Sequence, residues 1–294
     1  MPMAQNNTHV LMSGVDYFDD KYAINPYMDQ SVKINLDKAE TEHNEVRQSL
    51  KSAGIIVTQV RPPKNCQDGV YVANWALCRR DLALLSCLPE ARKDEEPYAE
   101  EVLRGLGKKI IKPPVNLRFS GQGDALPCGP YLFAGTNYRT DKMMHDFIEN
   151  KLGYMVIALQ TKPLRTWYGK TKNNRFSGWP DSFYYDIDLA LAILRQPTSR
   201  QKGLIAWCPG AFTRRSRDLL HQFNEVDKIE ITEEEAKNGF ACNLVSSGST
   251  VIMSNNAPKL KQQLENLGFN TITPSITELS KGGGYIRCTT LTIG

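Results

Sequence analysis

The feature that most constrains this chain is a grammar of short elements, one or two strands, a helix and a further strand, that recurs along it five times. Val10-Leu-Met-Ser predicts a strand, the apolar positions from Leu36 to Ala53 predict a helix stopped by Gly54, and Ile55 to Val60 predicts a further strand. The pattern returns as Val70 to Leu77 and Leu82 to Ser86, a helix from Glu96 to Leu106, and Lys109-Ile-Ile111. A third pass has Asp124-Ala-Leu, Tyr131 to Gly135, a helix over 141–151 and Tyr154 to Leu159. The fourth has Asp186 to Leu191, Leu204 to Cys208, a helix over 215–223 and Lys228 to Ile231. The fifth has Ala241 to Val245, Thr250 to Ser254, a helix from Lys259 to Leu267 and Asn270-Thr-Ile-Thr. Self-similar units of roughly fifty to sixty residues are what stacked or radial repeat architectures leave in a sequence, because one unit cannot bury its own faces. The expected fold is α/β, with five units closing around an axis like propeller blades and their loops meeting at one mouth. A single domain over residues 1–294 follows from that closure.

Polar residues gather at corresponding places, near the first strand of successive units: Asn25, Asn74, Asp124, and the pair Asp186 and Asp188. Each alone reads as a turn or cap, since Asn and Asp bond their own backbone there. Taken together in a radial fold, they converge on one pocket. Carboxylates so placed suit a planar cation, because they accept the forked hydrogen bonds of a guanidinium.

The last fourteen residues add a thiol. In Lys281-Gly-Gly-Gly-Tyr-Ile-Arg-Cys288-Thr-Thr-Leu-Thr-Ile-Gly294, three glycines permit a sharp turn and close approach of backbone. Tyr285 and Ile286, then Leu291 and Ile293, read as a strand, with Cys288 at its head. Free cysteine is among the most buried residue types, so a small core residue is the plain reading of a lone thiol. The glycine turn favours a nucleophile, and the adjacent Arg287 is expected to favour its thiolate.

Composition narrows the class. With 41% hydrophobic and 23% charged residues the chain is globular, and 36 basic against 32 acidic residues, net +4, is too mild and mixed for a nucleic-acid surface. The densest basic patch, Arg214-Arg215 with Arg217, reads as a solvated helix face. Seven cysteines without paired zinc spacing argue against a disulfide framework and a metal site, and place the chain in a reducing cytoplasm. The N-terminus, Met1-Pro-Met-Ala-Gln-Asn-Asn-Thr, has no leader pattern, and no long apolar run predicts a membrane span. Neither cofactor nor metal is expected, since nucleophilic chemistry of this kind needs none. Homo-oligomerisation is left open.

These motifs resemble the pentein, or guanidino-group-modifying, superfamily: five-fold pseudosymmetric α/β propellers that include arginine deiminases, dimethylarginine hydrolases, arginine dihydrolases and amidinotransferases. The resemblance rests on Tyr22-Ala-Ile-Asn-Pro, Val70-Tyr-Val-Ala-Asn, Gly121-Gln-Gly-Asp-Ala-Leu, Trp207-Cys-Pro-Gly-Ala-Phe, Gly239-Phe-Ala-Cys-Asn, Val251-Ile-Met and Gly282-Gly-Gly-Tyr-Ile-Arg-Cys-Thr-Thr-Leu. It implies that Cys288 is the nucleophile toward a guanidinium carbon, giving a thiouronium intermediate that water hydrolyses. It further implies that Asp124 and Asp188 grip the guanidinium nitrogens, that Asn74 and Asn25 are the amides of the dihydrolase branch, and that Arg92 and Arg139 hold the carboxylate of an arginine-like substrate.

Two departures stand beside the matches. Asp186 occupies the place of the histidine in the family's His-x-Asp motif, and Ser120 that of a glutamate. An unperturbed aspartate, with a pKa of about 3.9, is a base but carries almost no proton to donate at neutral pH unless burial or like charges raise it. Two readings follow: a cysteine hydrolase or amidinotransferase acting on a guanidino, ureido or amide group, with Asp186 as the altered acid/base, or a catalytically degenerate relative that binds an arginine-like metabolite. The segment from Gln160 to Ser182 reads equally as a cover over the mouth or as a surface loop.

Overall fold

The computed structural model describes residues 6–294; residues 1–5, part of the stretch read above for a leader, lie outside the described residues. The first unit comprises β1 (His9–Met12), α1 (Leu36–Ser52) and β2 (Ile56–Gln59). The second has β3 (Ala76–Arg79), β4 (Leu82–Leu85), α2 (Glu95–Gly105) and β5 (Lys109–Ile111). The third has β6 (Ala125–Cys128), β7 (Tyr131–Gly135), α3 (Lys142–Leu152) and β8 (Met155–Leu159). The fourth has β9 (Leu191–Arg195), β10 (Gly203–Trp207), α4 (Arg214–Gln222) and β11 (Val226–Glu230). After α5 (Glu233–Asn238) come β12 (Val245–Ser246), β13 (Thr250–Ile252), α6 (Pro258–Asn266) and β14 (Asn270–Ile272), and β15 (Leu291–Thr292) returns to complete the first unit.

Five separate three-stranded sheets result, with orders β15-β1-β2, β3-β4-β5, β6-β7-β8, β9-β10-β11 and β12-β13-β14. In each, the middle strand pairs antiparallel with one neighbour and parallel with the other. The parallel step needs a crossover, and in every unit a helix supplies it. The antiparallel partners β3, β6, β9, β12 and β15 are mostly buried and lie innermost, whereas the outer strands β2, β5 and β14 are half-exposed. Neighbouring units touch in sequence: β15 meets the turn before β3, β3 the turn before β6, β6 meets β9, β9 meets β12, and β13 returns to α1. The ring closes. The predicted α/β fold of five units is the observed one.

The predicted strands differ from the observed ones at the axis. Val72–Trp75 is a single 3₁₀ turn, and the strand begins only at Ala76. Ile187–Leu189 is likewise a 3₁₀ turn ahead of β9, and Gly121–Gly123, before the strand expected from Asp124, is another ahead of β6. The expected strand through Tyr285 and Ile286 is a turn over 286–289, and β15 is two residues long. A fully buried apolar run carries no period that separates a tight turn from a strand. These turns instead close i→i+3 bonds such as Leu189 N to Asp186 O (3.2 Å), which leave the polar side chains aimed at the axis. The short helix α5 was not predicted, although Thr232 caps it by accepting from Glu235 N (3.3 Å) ahead of three glutamates.

Candidate active site

The site is assembled from the five turns that precede the innermost strands. Each contributes a polar side chain: Asn74, Asp124, the pair Asp186 and Asp188, Asn243 and Cys288. All six are buried, none more than 3% exposed. Close approach at the axis requires the glycines. A Cβ on Gly284 would lie 2.5 Å from the Tyr71 ring and 2.8 Å from Cys288 Cβ, and Gly283 takes a φ of 87° while packing on Asn25.

Cys288 is held on several sides. Its Sγ lies 3.4 Å from Asp188 Oδ2 and 3.1 Å from Asn243 Nδ2. Asn243 Oδ1 accepts from the backbone N–H of both Cys288 and Tyr285, each at 3.1 Å. The Cys288 carbonyl accepts from Ala73 N at 3.1 Å. Asn243 was not among the residues singled out from the sequence. Its position ahead of β12, matching that of Asn74 ahead of β3, is the signal that would have found it.

Beside the thiol stand three carboxylates. Asn74 Nδ2 donates to Asp186 Oδ2 (2.8 Å) and to Ser120 O and Oγ (3.0 and 2.9 Å), so Ser120 completes the seat of Asn74. Asp124 Oδ1 accepts from Ile187 N at 2.9 Å. Asp186 Oδ1 and Asp188 Oδ1 are buried and accept no hydrogen bond. Burial, followed by repulsion from Asp186, pushes both Asp124 and Asp188 well above the ordinary carboxylate range.

Arg287 does not act on the thiol as expected. Burial, then the charges of Asp188 and Asp186, push the Cys288 thiol well above its usual value. The Arg287 guanidinium is turned instead to Gln122 Oε1 (2.8 Å), Thr292 Oγ1 (3.0 Å) and Thr290 O (3.5 Å). Two carboxylates and desolvation outweigh one cation directed elsewhere.

The remaining predicted residues form an outer ring. Asn25 donates to Gly282 O (2.9 Å) and accepts from Tyr27 N (3.0 Å), which seats it on the glycine turn. Arg139 lies with its Cζ 4.3 Å from the Tyr185 ring centre and donates to Ile24 O at 3.1 Å. Arg92 is more fully engaged. Its Nε and Nη2 meet Glu95 at 2.7 Å, Nη2 also reaches the carbonyls of Asp68 and Tyr71, and Nη1 holds Asn74 Oδ1 at 2.7 Å. That arrangement leaves one Nη1–H for anything else and fixes which end of the Asn74 amide faces Asp186. Asp68, also not singled out from the sequence, is buried beside both arginines, and burial against the pull of Arg92 raises its carboxyl to about 6.

None of the four histidines enters the site. His145 Nε2 lies 2.9 Å from Gly135 O, His9 bonds Thr58, His43 is buried on α1 and His221 sits on α4 against Trp207. The segment from Gln160 to Ser182 is an ordered excursion tied by bonds such as Leu164 N to Asp181 O and Lys172 N to Leu164 O, both 2.8 Å. Asn174 in it donates to Ala23 O at 2.9 Å, and Phe176 packs edge-on against Tyr22, so it meets the 13–35 segment beside Asn25.

Comparison with known proteins agrees with this geometry. The bifunctional arginine dihydrolase/ornithine cyclodeaminase AgrE of Nostoc sp. is 33% identical over 288 residues, covering 96% of this chain and 37% of that protein. The N(G),N(G)-dimethylarginine dimethylaminohydrolase of Mycobacterium tuberculosis is 29% identical over 279 residues, covering 94% and 83%. The crystal structure of the N-terminal domain of ArgZ, an arginine dihydrolase of cyanobacteria bound to its product, superposes with a TM-score of 0.83 at 27% identity and covers 97% of each chain. The chain thus spans less than two fifths of the length of the bifunctional relatives it matches. The family described as N,N dimethylarginine dimethylhydrolase, eukaryotic, matches residues 18–168, just over half of the chain, and the chain belongs to that family.

Proposed function

We propose that this protein is a cysteine-dependent hydrolase of the guanidino group, or a related ureido or amide group, of an arginine-like amino acid. The observation that carries the reading is the Cys288 thiol 3.4 Å from Asp188 inside a buried cluster of carboxylates, two of whose oxygens accept no hydrogen bond. A planar cation supplies the missing donors, with Asp188 and Asp124 gripping its nitrogens. Burial and carboxylate repulsion hold the thiol protonated, and the cation's positive charge offsets the repulsion, so binding itself promotes the thiolate. The thiol proton passes to Asp188 Oδ2, Sγ bonds to the guanidinium carbon, and the C–N bond to the leaving nitrogen breaks. Asp186, held by Asn74, relays the thiol's proton from Asp188 to that nitrogen, then takes a proton from the water that cleaves the thiouronium C–S bond as another returns to Sγ. Arg139, with the remaining N–H of Arg92, holds the carboxylate end, and Asn25 keeps the glycine turn against the pocket. No step calls on a cofactor or metal.

The shared cores of the five units around one axis support a single domain, and seven unpaired cysteines suit a reducing cytoplasm. An amine or hydroxyl acceptor in place of water would make the same intermediate serve amidino transfer. The absence of histidine from the described site favours one second reading, a relative that binds but does not turn over.

Intact-protein mass spectrometry after incubation with arginine, methylated arginines, citrulline and agmatine, beside an assay for released ammonia, separates the two. A Cys288 adduct or product is expected, and is lost in Cys288→Ser. Ligand-raised melting temperature without adduct or product would overturn the hydrolase and leave the binder.

A further inference from the structure

The innermost strands run from the catalytic turns to the other end of the ring, and there they border a cavity of about 290 Å³. Its wall is formed by the far ends of β3, β6, β9 and β15, by the start of the chain at Asn6 to Thr8, and by Gln122, Asp188 and Arg287 reaching down from the turns. The volume is at the small end of the range for metabolite pockets, roughly 300–1,000 Å³.

Its charged side chains are mostly cationic. Arg287 stands at the inner end, and its three protein hydrogen bonds leave two guanidinium N–H groups without a partner among the described residues. Arg79 and the exposed Arg80 stand at the turn between β3 and β4, with Arg79 stacked over Tyr154 at 3.9 Å. Lys108 reaches the same rim, donating to Arg80 O (2.6 Å) and Ile293 O (2.5 Å). Among the described residues, none of these four cations has a carboxylate within ion-pair distance. The one acid in the wall, Asp188, faces Cys288 with its Oδ2. Between the cationic inner end and the cationic rim, Leu126, Leu191, Ile193 and Leu244 give the wall an apolar side, beside the polar Asn7, Gln196 and Thr292.

We propose that this rear cavity binds a small dicarboxylate, with one carboxylate taken by Arg287 at the inner end, the carbon chain lying on the apolar side of the wall, and the second carboxylate taken by Arg79 and Arg80 at the rim. Two cationic ends with an apolar side between them match a short carbon chain with an anion at each end, whereas a free phosphate would use only one end. Forked guanidinium donors are the groups that recognise carboxylates. The cavity meets the surroundings of Cys288 at Asp188, but the proposal does not depend on the activity assigned there.

Isothermal titration calorimetry with succinate, and with uncharged succinamide as control, tests it. Succinate is expected to bind the wild-type chain and succinamide not to. Arg80→Glu, at an exposed position, is expected to weaken succinate at least tenfold while its melting temperature shows an intact fold; Arg79→Gln gives the same loss where it folds. Arg139→Gln, in the front pocket, is expected to leave succinate affinity unchanged. Absence of succinate binding at millimolar concentration, equal binding of succinamide, full affinity in Arg80→Glu, or loss in Arg139→Gln would each overturn the proposal.

Discussion

In the proposed reaction, Asp186 carries the acid–base chemistry. Asn74 fixes one of its oxygens at 2.8 Å, and the other accepts nothing. General acid–base help is typically worth roughly a hundred- to ten-thousand-fold in rate, so Asp186→Asn is expected to lower ammonia release from the preferred substrate by at least about a hundredfold. Unchanged turnover in that variant would remove Asp186 from the reaction. Asp186→His restores a group that ionises near neutrality, and is expected to raise turnover of arginine itself in the same steady-state assay. Much of this was legible in the residues: Cys288, Asp188 and Asp186 meet as the spacing of the repeats implied. Side-chain allegiance was not. Nothing in the string Arg287-Cys288 says that the guanidinium turns to Gln122, 165 residues away, or that Arg92 spends four of its five N–H groups on Asn74, Glu95 and two carbonyls. Those outcomes depend on long-range packing.

At the scale of elements, helices α1 to α4 and α6 and the middle strands were legible because their periods and stops are local. The turns at the axis were not, because a short buried 3₁₀ turn and a short buried strand carry no period that tells them apart. The loop that carries the glycines is anchored by an element far from it in sequence. Glu42, on α1, accepts from Thr277 N (2.8 Å), Thr277 Oγ1 (2.7 Å), Glu278 N (2.8 Å) and Leu279 N (3.2 Å). Glu278 in turn accepts from Asn35 N (2.8 Å), just ahead of α1. Glu42→Ala leaves those donors buried and unpaired, so it is expected to cost on the order of 1–3 kcal/mol in urea unfolding. A loss below about 0.5 kcal/mol would mean that the loop holds its place without α1.

Across the whole molecule, burial of acids couples folding to pH. Asp68 ionises at about 6 when folded because burial outweighs the pull of Arg92, against about 3.9 when unfolded. A raised folded value means that the folded state keeps a proton the unfolded chain has released. Its contribution is therefore full below about pH 4 and lost as pH rises through about 6, a change of up to about 3 kcal/mol from this one group. Asp68→Asn is expected to flatten the fall in stability between pH 4.5 and 6.5; urea unfolding of both proteins at the two values checks this, and parallel curves would contradict it.

The burial of Cys288 has a consequence beyond the reaction. Peroxide oxidises thiolates in preference to thiols, and does so where they are accessible. At 2% exposure, and with its proton held by burial and by two neighbouring carboxylates, Cys288 at rest offers neither condition. On the proposed function, a nucleophile made only when a cation arrives is kept out of the oxidation ladder while it waits.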